Sequence, residues 1–516
     1  MSGRSYWESF TRPDAPPDWL EPLYDAEGMR AIDSWAIEEG GTPSLELMER
    51  AGTGLAACAA AMAPEGRIVV VAGKGNNGGD GLLAAGVLRG DGRDVDVLLA
   101  AAPGDFSGDA AVMLERLAGD APVELSAASG IPADATLVID ALLGTGASGE
   151  PRGAVAAAIE AIRDSGIEVL AVDVPSGVDA SSGETPGLAV VASATATFHA
   201  AKAGLWIEPG RACAGDVSVI DIGIPPGAPV VAQIGLIGDE VLSEIPRRAA
   251  NSTKFTSGRV LVAGGSAGLT GAPCLAALAA ARAGAGYVTV CVPSSLSLVF
   301  ESRLLEQMTI ALPDSDGGIT VEAIEPLAAA AAAHPGALVL GPGLGRAEHT
   351  VAFVRGVLDA VSMPVVLDAD GLNAFAGDID SVGGRAAVLT PHEGELGRLL
   401  GVGAPAVAAR RLHHAREAAA RSGAVVVLKG DDTLVAAPDG SVAVSPGATP
   451  ALATAGTGDV LSGVLAALLA KWLDPFTAAC AAVRLHALAG VHAAVRQGTE
   501  GVIASDVIDA LSAVRG

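Results

Sequence analysis

The sequence predicts an α/β protein of two domains, each built on a mostly parallel β-sheet. The chain has 516 residues, more than one ordinary hydrophobic core accommodates, so two domains are expected. Half of the residues are apolar, which gives both domains enough side chains to bury a sizeable core. Short β-branched runs alternate with Ala- and Leu-rich runs along the whole chain, the pattern of parallel strands joined by helices.

Ten runs are predicted to be strands, and one irregular segment divides them. In chain order they are RIVVV, VDVLLA, TLVID and EVLAVDV, then RVLVAG, YVTVCV, ALVLG, PVVLDAD, AVLTP and AVVVLKG. The dividing segment, DIGIPPGAPVVAQIGLIGDEVLSEIPRR, is rich in Pro and Gly, so we place the domain boundary within residues 224–250. Further on, TLVAAPDGSVAVSPG predicts a hairpin that turns at Asp439 and Gly440. Because ligands of such sheets bind at the carboxyl ends of the strands, the loops there are the candidates for function.

Charge and cysteine usage narrow the class of protein. The formal net charge is −27 and the isoelectric point is near 4.6, which disfavours a nucleic-acid or anionic-lipid surface because those need clustered Lys and Arg. An anionic ligand must therefore be held locally, by backbone N–H groups and helix N-termini. The cysteines are scattered without a CxxC motif, which predicts reduced thiols and neither a disulfide frame nor a zinc site: Cys58, Cys213, Cys274, Cys291 and Cys480.

The N-terminus and the apolar stretches indicate where in the cell the protein is expected. The first 19 residues contain no apolar run, so we expect no signal peptide. The longest apolar stretches, such as VLSGVLAALLA, are expected to be too short to span a bilayer. These features predict a soluble cytoplasmic protein with neither a membrane nor a nucleic acid as partner.

The stretch VAGKGNNGGDGLLAAG, residues 71–86, contains the spacing GxGxxG at a strand-to-helix turn. In an ordinary dinucleotide-binding turn, an acidic residue about 20 residues past the glycines, at the end of the second strand, binds the ribose. Here Asp94 and Asp96 stand at the start of VDVLLA, which is the wrong end of that strand. Two Asn side chains also occupy the turn, where bare backbone normally meets the pyrophosphate. The spacing alone is therefore weak evidence for an ordinary dinucleotide site.

Two later strand ends bring carboxylates to the same region. VIDALLGTGASGEPRG and AVDVPSGVDASSG deliver Asp140 and Asp173 into Gly-rich loops, where Ser176 adds a hydroxyl group. Asn77, Asp140 and Ser176 offer oxygen ligands only, which suits a hard cation. The loop of residues 144–150 offers N–H donors to a phosphate. The alternative is that Asp140 caps a loop and Ser176 a turn, and for any one residue alone that interpretation is preferred.

Taken together, the motifs GNNGGDG, DALLGTG and VDVPSGVD closely resemble, in order and spacing, those of the NAD(P)H-hydrate epimerase family, over residues 29–223. The resemblance implies a Rossmann-like fold that binds hydrated NAD(P)H without hydride transfer, beside a potassium ion (K⁺). The implied potassium ligands are Asn77, Asp140 and Ser176, and Asp173 would contact the dinucleotide. The residues that would cradle it are Asn76, Asn77, Gly78, Gly79, Asp80, Gly144, Thr145, Gly146, Ala147, Ser148, Gly149 and Glu150.

His199 and Lys202, in TFHAAKAGL, follow a further strand of this half. A single His or Lys beside a sheet is more often structural than catalytic, so neither belongs to the predicted site. The acid or base of the epimerisation step therefore stays unassigned by the sequence.

The motif ATAGTGDVLSGVLAALLA, residues 453–470, dominates the second half. Residues 454–458 form a turn of small residues that leads directly into an apolar helix, whose first N–H groups form a hole for phosphoryl oxygens. Asp459, in the first turn, can act as a base toward a hydroxyl group beside that hole. The alternative treats Asp459 as a helix-start acid favoured by the dipole, which leaves the run of small residues unexplained.

Other strand ends point to the same crevice, in LGPGLGR, LDADGLN and LTPHEGEL. VVVLKGDDTLV adds Lys429 and Thr433 just before the hairpin, where they can line a nucleotide. Together these motifs resemble the ribokinase-like superfamily. The stretch NSTKFTSGRVLVAGGSAGLTGAPCLAALAAARAGAGYVTV narrows the resemblance to the ADP/ATP-dependent NAD(P)H-hydrate dehydratase family, over residues 251–514.

The dehydratase resemblance implies a set of site residues, with Asp459 as the catalytic base. The residues that would contact the hydrate are Ala272, Gly343, His392 and Asp459. The residues that would bind the adenine nucleotide are Lys429, Gly430, Asp431, Asp432, Thr433 and Gly458. The chain departs from the family pattern at Thr253, where His is common, and at Leu269, where an aromatic residue is common. Both departures concern the rim of the site and not its chemistry.

Three histidines of this half have competing interpretations. His392, in TPHEGE at a strand end, is preferred as a ligand contact over a loop histidine that satisfies a nearby carbonyl. His413 and His414 lie in a basic helical stretch, ARRLHHAREAAARSG, for which no acidic metal partner is recognised. They are predicted to lie on a solvated helix face.

Residues 1–230 are therefore predicted to form a Rossmann-like epimerase domain and residues 245–516 a ribokinase-like dehydratase domain. Water added at C6 of the reduced nicotinamide ring gives R and S hydrates, NADHX or NADPHX. The first domain would interconvert them, and the second would consume the S form. It would phosphorylate the C6 hydroxyl group from ADP, with Mg²⁺ assisting, and then eliminate phosphate, which leaves NAD(P)H, AMP and phosphate. A homo-oligomer is expected.

The alternative is a small-molecule kinase, of the sugar or hydroxymethylpyrimidine type, fused to a non-catalytic dinucleotide-binding module. The same anion hole and base serve any alcohol, but such a kinase leaves a phosphorylated product, whereas a repair enzyme returns the intact dinucleotide. Four residues argue against a silent first domain: Asn77, Asp140, Asp173 and Ser176.

Overall fold

The computed structural model describes residues 17–125 and 130–515, which form two compact units. The N-terminal unit comprises Pro22–Gly235. Of the described residues, the C-terminal unit comprises 236–515 together with 17–21, which include the start of strand β1 (Leu20–Leu23). The expectation of no signal peptide concerns residues 1–19, of which 1–16 lie outside the described residues, as does residue 516 at the end of the predicted second domain.

Strands and helices alternate along the N-terminal unit, as the sequence pattern predicts. The strands are β2 (Arg67–Ala72), β3 (Val95–Leu99), β4 (Val123–Glu124), β5 (Ala135–Ala141), β6 (Val169–Val172), β7 (Ala194–Phe198) and β8 (Asp216–Ile220). The helices are α1 (Ala26–Glu38), α2 (Ser44–Met62), α3 (Asn76–Gly90), α4 (Gly108–Arg116), α5 (Gly153–Ser165) and α6 (Gly210–Ala214).

The sheet of this unit has the order β4-β3-β2-β5-β6-β7-β8, and every adjacent pair is parallel. The chain moves from β2 to one edge at β4, returns to β5, and then proceeds to the other edge. Such a reversal opens a crevice at the carboxyl ends of the strands, which is where parallel sheets bind ligands. The loops that follow β2 and β5 flank this crevice.

Strand β2 shows why the centre of the sheet needs a continuous apolar run. Residues 68–72 are fully buried. Ile68 and Val70 belong to the core on one face of the sheet, and Val69 and Val71 belong to the core on the other. A strand covered on both faces cannot alternate apolar with polar residues, so RIVVVA is apolar throughout after its first position.

The C-terminal unit continues the alternation. Its further strands are β9 (Ile234–Ile237), β10 (Arg259–Ala263), β11 (Tyr287–Pro293), β12 (Met308–Leu312), β13 (Asp314–Ser315), β14 (Gly318–Ile319), β15 (Ala337–Leu340), β16 (Val365–Leu367), β17 (Val388–Leu389), β18 (Val425–Leu428), β19 (Leu434–Ala436) and β20 (Val442–Val444). Its helices are α7 (Gly271–Arg282), α8 (Ser297–Glu301), α9 (Ile324–Ala332), α10 (Glu348–Ala360), α11 (Asp370–Asn373), α12 (Glu393–Leu400), α13 (Ala404–Ala409), α14 (Arg411–Ser422), α15 (Thr457–Leu469), α16 (Pro475–Gln497) and α17 (Ala504–Val514).

The large sheet of this unit has the order β1-β9-β20-β19-β18-β17-β16-β15-β10-β11-β12, and β13 pairs with β14 separately. Every pair from β18 to β12 is parallel. The predicted hairpin is confirmed, because β19 and β20 pair antiparallel and Gly440 in their turn has a φ of 91°. The α/β class predicted from the sequence is therefore correct for both units.

Helix α16 corrects one expectation, that the apolar stretches are all too short to span a bilayer. It has 23 residues and is long and apolar enough, by length and composition alone, to cross a membrane. However, 67% of its most apolar window is buried inside the protein, and the core helix of a soluble protein passes the same test. Arg484 and two histidines interrupt its apolar run, which is why the sequence does not present it as one stretch.

Candidate active sites

A cavity of about 1020 Å³ lies in the N-terminal unit at the carboxyl ends of the central strands. Pockets for small ligands usually measure about 300–1,000 Å³, so this one has room for a large ligand. Its lining comes from the segments that follow β2, β5, β6 and β7 and from α1 and α2. The predicted ligand contacts that line it are Asn76, Asn77, Asp80, Gly144, Thr145, Gly146, Ala147 and Asp173.

The other predicted contacts in this unit lie outside the lining. Gly78 and Gly79 are buried in the first turn of α3. A Cβ atom at Gly78 would lie 1.7 Å from the carbonyl oxygen of Gly73, so only glycine lets α3 begin this close to the end of β2. The predicted residues in the loop before α5 that do not line the cavity are Ser148, Gly149 and Glu150.

The three predicted potassium ligands are joined by one chain of hydrogen bonds. The side-chain amide of Asn77 donates to the Leu143 carbonyl oxygen (2.8 Å), and the Leu143 N–H donates to the Ser176 hydroxyl oxygen (2.9 Å). That hydroxyl group donates to one oxygen of Asp140 (2.6 Å), and the Ser176 N–H donates to the other (2.8 Å). The loops after β2, β5 and β6 are thereby held together at this point.

Asp140 is a fully buried carboxyl group with no positively charged neighbour among the described residues. Burial raises its pKa to about 6, while hydrogen bonds from Ser176 and from the Leu142 N–H oppose that shift. No Lys or Arg is among the groups that act on it. The contact with Leu142, two residues on, also fits the alternative in which Asp140 caps a loop. A buried carboxylate with hydrogen bonds but no counter-charge is costly, so a bound cation would stabilise it.

Asp173 follows β6 with a φ of 65°, which is unusual for a residue other than glycine. One carboxylate oxygen accepts hydrogen bonds from the Thr145 N–H (3.0 Å) and from the Thr145 hydroxyl group. The other forms an ion pair with Lys202 Nζ (2.8 Å). Burial alone would raise the pKa of Asp173, but the Lys202 charge and the hydrogen bonds hold it below its usual value. Lys202 is itself buried and also donates to Thr197 and to the Phe198 carbonyl.

The other carboxyl groups that line the cavity include Asp33 on α1 and Asp80 on α3. Among the described residues, neither has a hydrogen-bond or ion-pair partner, and only burial and more distant charges act on them. Burial raises the pKa of Asp33 to about 6, with Lys202 opposing the shift and Asp173 adding to it. Burial, followed by the charges of Asp173 and Asp33, raises the pKa of Asp80 well above its usual value.

In the C-terminal unit, α15 begins at Thr457, within the predicted turn of small residues, 454–458. Gly456 precedes the helix with a φ of 91°, a conformation that favours glycine. Asp459 is the third residue of the helix and is partly buried. Burial raises its pKa to about 7, with the Asp368 charge adding to the shift and Lys429 opposing it. A carboxyl group with a pKa near neutrality is well matched to general-base catalysis.

Asp368, directly after β16, is the buried centre of a polar cluster. It accepts hydrogen bonds from the hydroxyl groups of Thr390 (2.8 Å) and Ser462 (2.7 Å). Its ion pair with Lys429 Nζ spans 3.3 Å, and Lys429 also lies 3.7 Å from Glu395 Oε2. Burial alone would lower the pKa of Lys429, but the charges of Asp368 and Glu395 raise it. The lysine therefore stays charged at the end of the parallel strands.

The predicted nucleotide loop, residues 429–433, joins β18 to β19 and is anchored by Arg411. Arg411 is almost completely buried, and its guanidinium binds both carboxylate oxygens of Asp432 at 2.9 and 2.7 Å. It also forms an ion pair with Glu393 (2.6 Å). The carboxylate of Asp432 is thus buried against Arg411, so it holds the loop in place.

The nucleotide loop and the start of α15 lie side by side. A Cβ atom added at Gly458 would lie 3.4 Å from Lys429 Nζ. Within the loop, the Thr433 hydroxyl group donates to the Gly430 carbonyl oxygen (2.6 Å) and closes a tight turn. Asp431 is exposed at its tip. The predicted nucleotide contacts other than Asp432 therefore lie together, in the loop after β18 and at the adjacent start of α15.

The predicted hydrate contacts Ala272 and Gly343 come from neighbouring parts of the same sheet edge. Ala272 lies in the first turn of α7, which follows β10. Gly343, after β15, has a φ of 66°, and its carbonyl accepts a hydrogen bond from the Ser266 hydroxyl group (2.9 Å). A Cβ atom at Gly343 would lie 2.5 Å from the Leu269 carbonyl oxygen, so the close approach of these two loops requires glycine.

The three histidines lie in different environments. His392 precedes α12, and its Nδ1 accepts a hydrogen bond from the Gly394 N–H (3.0 Å), so the ring caps a helix rather than satisfying a carbonyl. The prediction of a solvated face is wrong for His414, which is buried with its Nδ1 3.3 Å from Glu417. Glu417 is the acidic neighbour that the sequence reasoning missed. His413 is exposed, as predicted.

Known proteins match the chain over both units. A family model described as YjeF-related protein N-terminus matches residues 44–204, and one described as NAD(P)H-hydrate dehydratase matches residues 260–513. The bifunctional NAD(P)H-hydrate repair enzyme of Moorella thermoacetica is 40% identical over 95% of this chain and 96% of its own. The enzyme of that description from Salinibacter ruber is 39% identical over 96% of both chains. The chain belongs to this family of bifunctional NAD(P)H-hydrate repair enzymes.

The family assignment made from the motifs is therefore confirmed for both halves, in the predicted order along the chain. Among solved structures, the ADP/ATP-dependent NAD(P)H-hydrate dehydratase from Bacillus subtilis, co-crystallized with ATP/Mg²⁺, is 31% identical, with a TM-score of 0.46. The match covers 54% of this chain and 95% of the Bacillus subtilis chain.

Several polar residues of the two candidate sites are not identified by the sequence motifs. Lys202 was predicted to be structural, yet it is paired with Asp173 in the lining of the cavity. Asp368 is the second residue of the quoted motif LDADGLN, directly after a strand, and a search for carboxylates at every strand end would have found it. Asp33 and Arg411 lie on helices, and no local signal distinguishes them from other helical charges.

Proposed function

We propose that this chain repairs hydrated NADH and NADPH in two steps. The N-terminal unit interconverts the R and S hydrates, and the C-terminal unit dehydrates the S hydrate at the expense of ADP. The observation that carries the proposal is the partly buried Asp459 at the start of α15, beside Lys429 and the buried Asp368. These groups can deprotonate an alcohol and hold a transferring phosphoryl group in the same place.

In the dehydratase step, Asp459 takes the proton of the C6 hydroxyl group, and the hydroxyl oxygen attacks the β-phosphorus of ADP. AMP leaves, while the N–H groups at the start of α15 stabilise the charge on the transferring phosphoryl group. The C6–O bond of the phosphate ester then breaks with loss of a proton from C5, which restores the reduced ring and releases phosphate. The proposed contacts to the hydrate are Ala272, Gly343, His392 and Asp459.

The nucleotide is proposed to bind along the loop of residues 429–433 and at Gly458. Lys429 supplies the positive charge for its phosphates, and Gly430, Asp431 and Thr433 supply the rest of the loop surface. Asp432 contributes by holding the loop on Arg411. Mg²⁺ would neutralise phosphate charge when bound, and the carboxyl groups beside Lys429 are of the oxygen-donor type that it prefers.

In the epimerase step, hydrated dinucleotide is proposed to fill the cavity, with its phosphates at the start of α3 and along the 144–150 loop. This helix start has no side-chain cap, so its first N–H groups are available to an anion. Asp173 is proposed to contact the ligand from the end of β6. Gly78 and Gly79 contribute by letting the backbone approach closely.

Potassium is proposed to bind among Asn77, Asp140 and Ser176. The donor set fits it: Asp140 is buried, no Lys or Arg in the described part of the chain acts on it, and the set contains only one carboxylate and otherwise neutral oxygens. Because Asn77 uses its amide nitrogen toward Leu143, its amide oxygen remains as a ligand. Mg²⁺ would demand tighter octahedral geometry, and a transition metal would prefer nitrogen or sulfur ligands. The ion would hold the three loops in place and offset phosphate charge.

One assay tests the proposal against the kinase alternative. Purified protein is mixed with hydrated NADH in the presence and absence of ADP, and the absorbance of the reduced nicotinamide is followed. Return of that absorbance only with ADP, until both hydrates are consumed, is the expected result. A stable phosphorylated product without recovered NADH contradicts the proposal. Recovery that stops after the S portion contradicts the epimerase step alone.

We also propose that the enzyme works in the cytoplasm, as a homo-oligomer. Large apolar side chains such as Leu298, Leu305 and Val495 are exposed on the C-terminal unit and could be buried by a second copy. Sedimentation of the purified protein over a range of concentrations tests the assembly, and a monomer at every concentration contradicts it.

A further inference from the structure

The cavity of the N-terminal unit is lined by acidic groups to which no role in proton transfer has been given. Asp173 already accepts contacts from Lys202, Thr145 and Thr197. Asp33 and Asp80 line the same cavity without a hydrogen-bond or ion-pair partner among the described residues. A carboxyl group that faces a ligand cavity and is not used by the protein is available to the ligand.

These two groups differ in what they can do. Asp80 is about nine-tenths buried, and burial, followed by repulsion from Asp173 and Asp33, raises its pKa well above the usual value and favours its protonated form, which can donate a hydrogen bond. Asp33 is only partly buried and is attracted by Lys202, which leaves its pKa at about 6. A group that gains and loses a proton near neutral pH is suited to move protons in catalysis.

We propose that Asp33 is the acid–base residue of epimerisation. This inference rests on the proposed function, since it assigns the proton transfer within the epimerase site. The protonated Asp33 gives its proton to the C6 hydroxyl oxygen of the hydrate. The C6–O bond breaks, its electron pair leaves with the oxygen as water, and the lone pair of the ring nitrogen N1 forms a C6=N1 double bond.

A water molecule then adds to the opposite face of C6. The π electrons return to N1, and the proton lost by that water passes back to the Asp33 carboxylate. One water leaves and one enters, and the carboxyl group ends as it began. The ring nitrogen supplies the driving electron pair, so the step needs no oxidant and no nucleotide, in keeping with an isomerisation.

The charged groups around Asp33 determine its pH dependence. Lys202 favours the charged form and Asp173 disfavours it, while Asp80, whose own pKa is raised by burial, lies nearby. The other charged residues that line the cavity are Arg30, Lys74, Asp105, Asp109 and Arg152. Because the protonated form acts first, kcat/KM for epimerisation should fall as the pH rises above about 6.

The test uses the full-length protein and pure R hydrate, with R-to-S conversion followed by chromatography without ADP. Asp33→Asn should lower kcat by about 10²-fold or more with little change in KM, because an amide cannot transfer the proton. The fall of kcat/KM above pH 6 should disappear with it. Asp33→Glu should retain part of the activity with a displaced pH profile. Glu38→Gln, an exposed acid on the same helix, is the matched control and should behave as wild type.

The outcomes distinguish a failure of the proposed epimerase function from a failure of the assignment of Asp33. If wild-type protein does not interconvert the hydrates, the proposed epimerase function fails. If wild type is active and Asp33→Asn retains its rate and pH profile, only the assignment of Asp33 fails. An unfolded Asp33→Asn variant would be revealed by circular dichroism, and Asp33→Glu then decides, since an unchanged pH profile in that variant contradicts the assignment.

Discussion

Replacement of Asp459 by Asn is the sharpest single test of the dehydratase site. The amide has nearly the size of the carboxyl group, so packing at the start of α15 is preserved, but it cannot accept the proton of the C6 hydroxyl group. Dehydration of pure S hydrate with ADP should therefore slow by about 10²–10⁴-fold, the usual contribution of a general base. Interconversion of the R and S hydrates should be unchanged, because it takes place in the N-terminal unit.

The structure also gives the pH dependence that this base should impose. Burial and the Asp368 charge raise the pKa of Asp459 to about 7, so near pH 7 about half of the molecules carry the base in its active, unprotonated form. In wild type, kcat/KM for dehydration should therefore rise with pH through about 7 and then level off. In Asp459→Asn this rise should be absent.

The assay follows recovery of reduced-nicotinamide absorbance with S hydrate, ADP and Mg²⁺ between pH 5.5 and about 8.5, a window that brackets the pKa of Asp459. Asp509→Asn is the matched control, because it makes the same change at an exposed position of α17. Circular dichroism and thermal unfolding show whether each variant is folded. A folded Asp459→Asn that dehydrates at nearly the wild-type rate, or a wild-type profile that is flat through pH 7, refutes the assignment.

Three further changes test other parts of the structure. Wild type should have a higher Tm in K⁺ than in an equal concentration of a bulky organic cation, and Asp140→Ala should abolish this difference. The same variant should weaken epimerisation while sparing dehydration. Equal Tm values for wild type in both salts contradict the ion site. Arg411→Met should destabilise the C-terminal unit by about 3–5 kcal/mol in urea and raise the KM for ADP, because the buried Asp432 loses the positive charge of Arg411; Asp432→Leu in addition should restore stability but not KM. Gly78→Ala should cost about 1–3 kcal/mol or more, whereas Gly75→Ala, whose added Cβ meets nothing within 4 Å, should be tolerated; equal stabilities contradict the packing argument.

The central strands could be predicted from the sequence because they are buried on both faces. All ten predicted runs correspond to strands, from β2 to β6 in the first unit and from β10 to β18 in the second. Such strands need continuous β-branched residues, and that pattern is visible in the chain itself. The strand-end motifs follow from the same regularity, since each loop at the carboxyl edge begins where an apolar run ends.

The edge strands could not be predicted in this way. Strand β8 is partly exposed along its length, so its residues Asp216–Ile220 carry polar side chains and resemble a loop. Strands β1 and β9 join the edge of the large sheet although about 200 residues separate them, a pairing that depends on the completed fold. The same reason explains Trp19, which packs against Phe476 in the core of the C-terminal unit.

The site residues likewise differ in whether a local sequence pattern or the completed fold brings them together. Asn77 and Asp140 belong to loop motifs whose spacing is fixed by the strands around them, so the sequence brings them together. Lys202 meets Asp173 because β6 and β7 are neighbours in the sheet, and Asp33 reaches the cavity from a helix that precedes the whole sheet. Those contacts are set by tertiary packing, for which the local sequence carries no pattern.

The acidic composition of the chain bears on how both sites bind anionic ligands. A chain of net charge −27 is proposed to bind several phosphate groups, and two like charges about 4 Å apart repel by about 4 kcal/mol at an effective dielectric constant of 20. Yet burial raises the pKa of several carboxyl groups near the proposed ligands and so favours their uncharged forms. The pKa of Asp80 is raised well above its usual value, and the pKa values of Asp33 and Asp459 are raised to about 6 and about 7. Asp173 keeps its charge because Lys202 lies 2.8 Å away and Thr145 donates hydrogen bonds to it. Burial of these carboxyl groups thus lowers the repulsion of an anionic ligand and, at Asp33 and Asp459, provides the groups that can transfer protons.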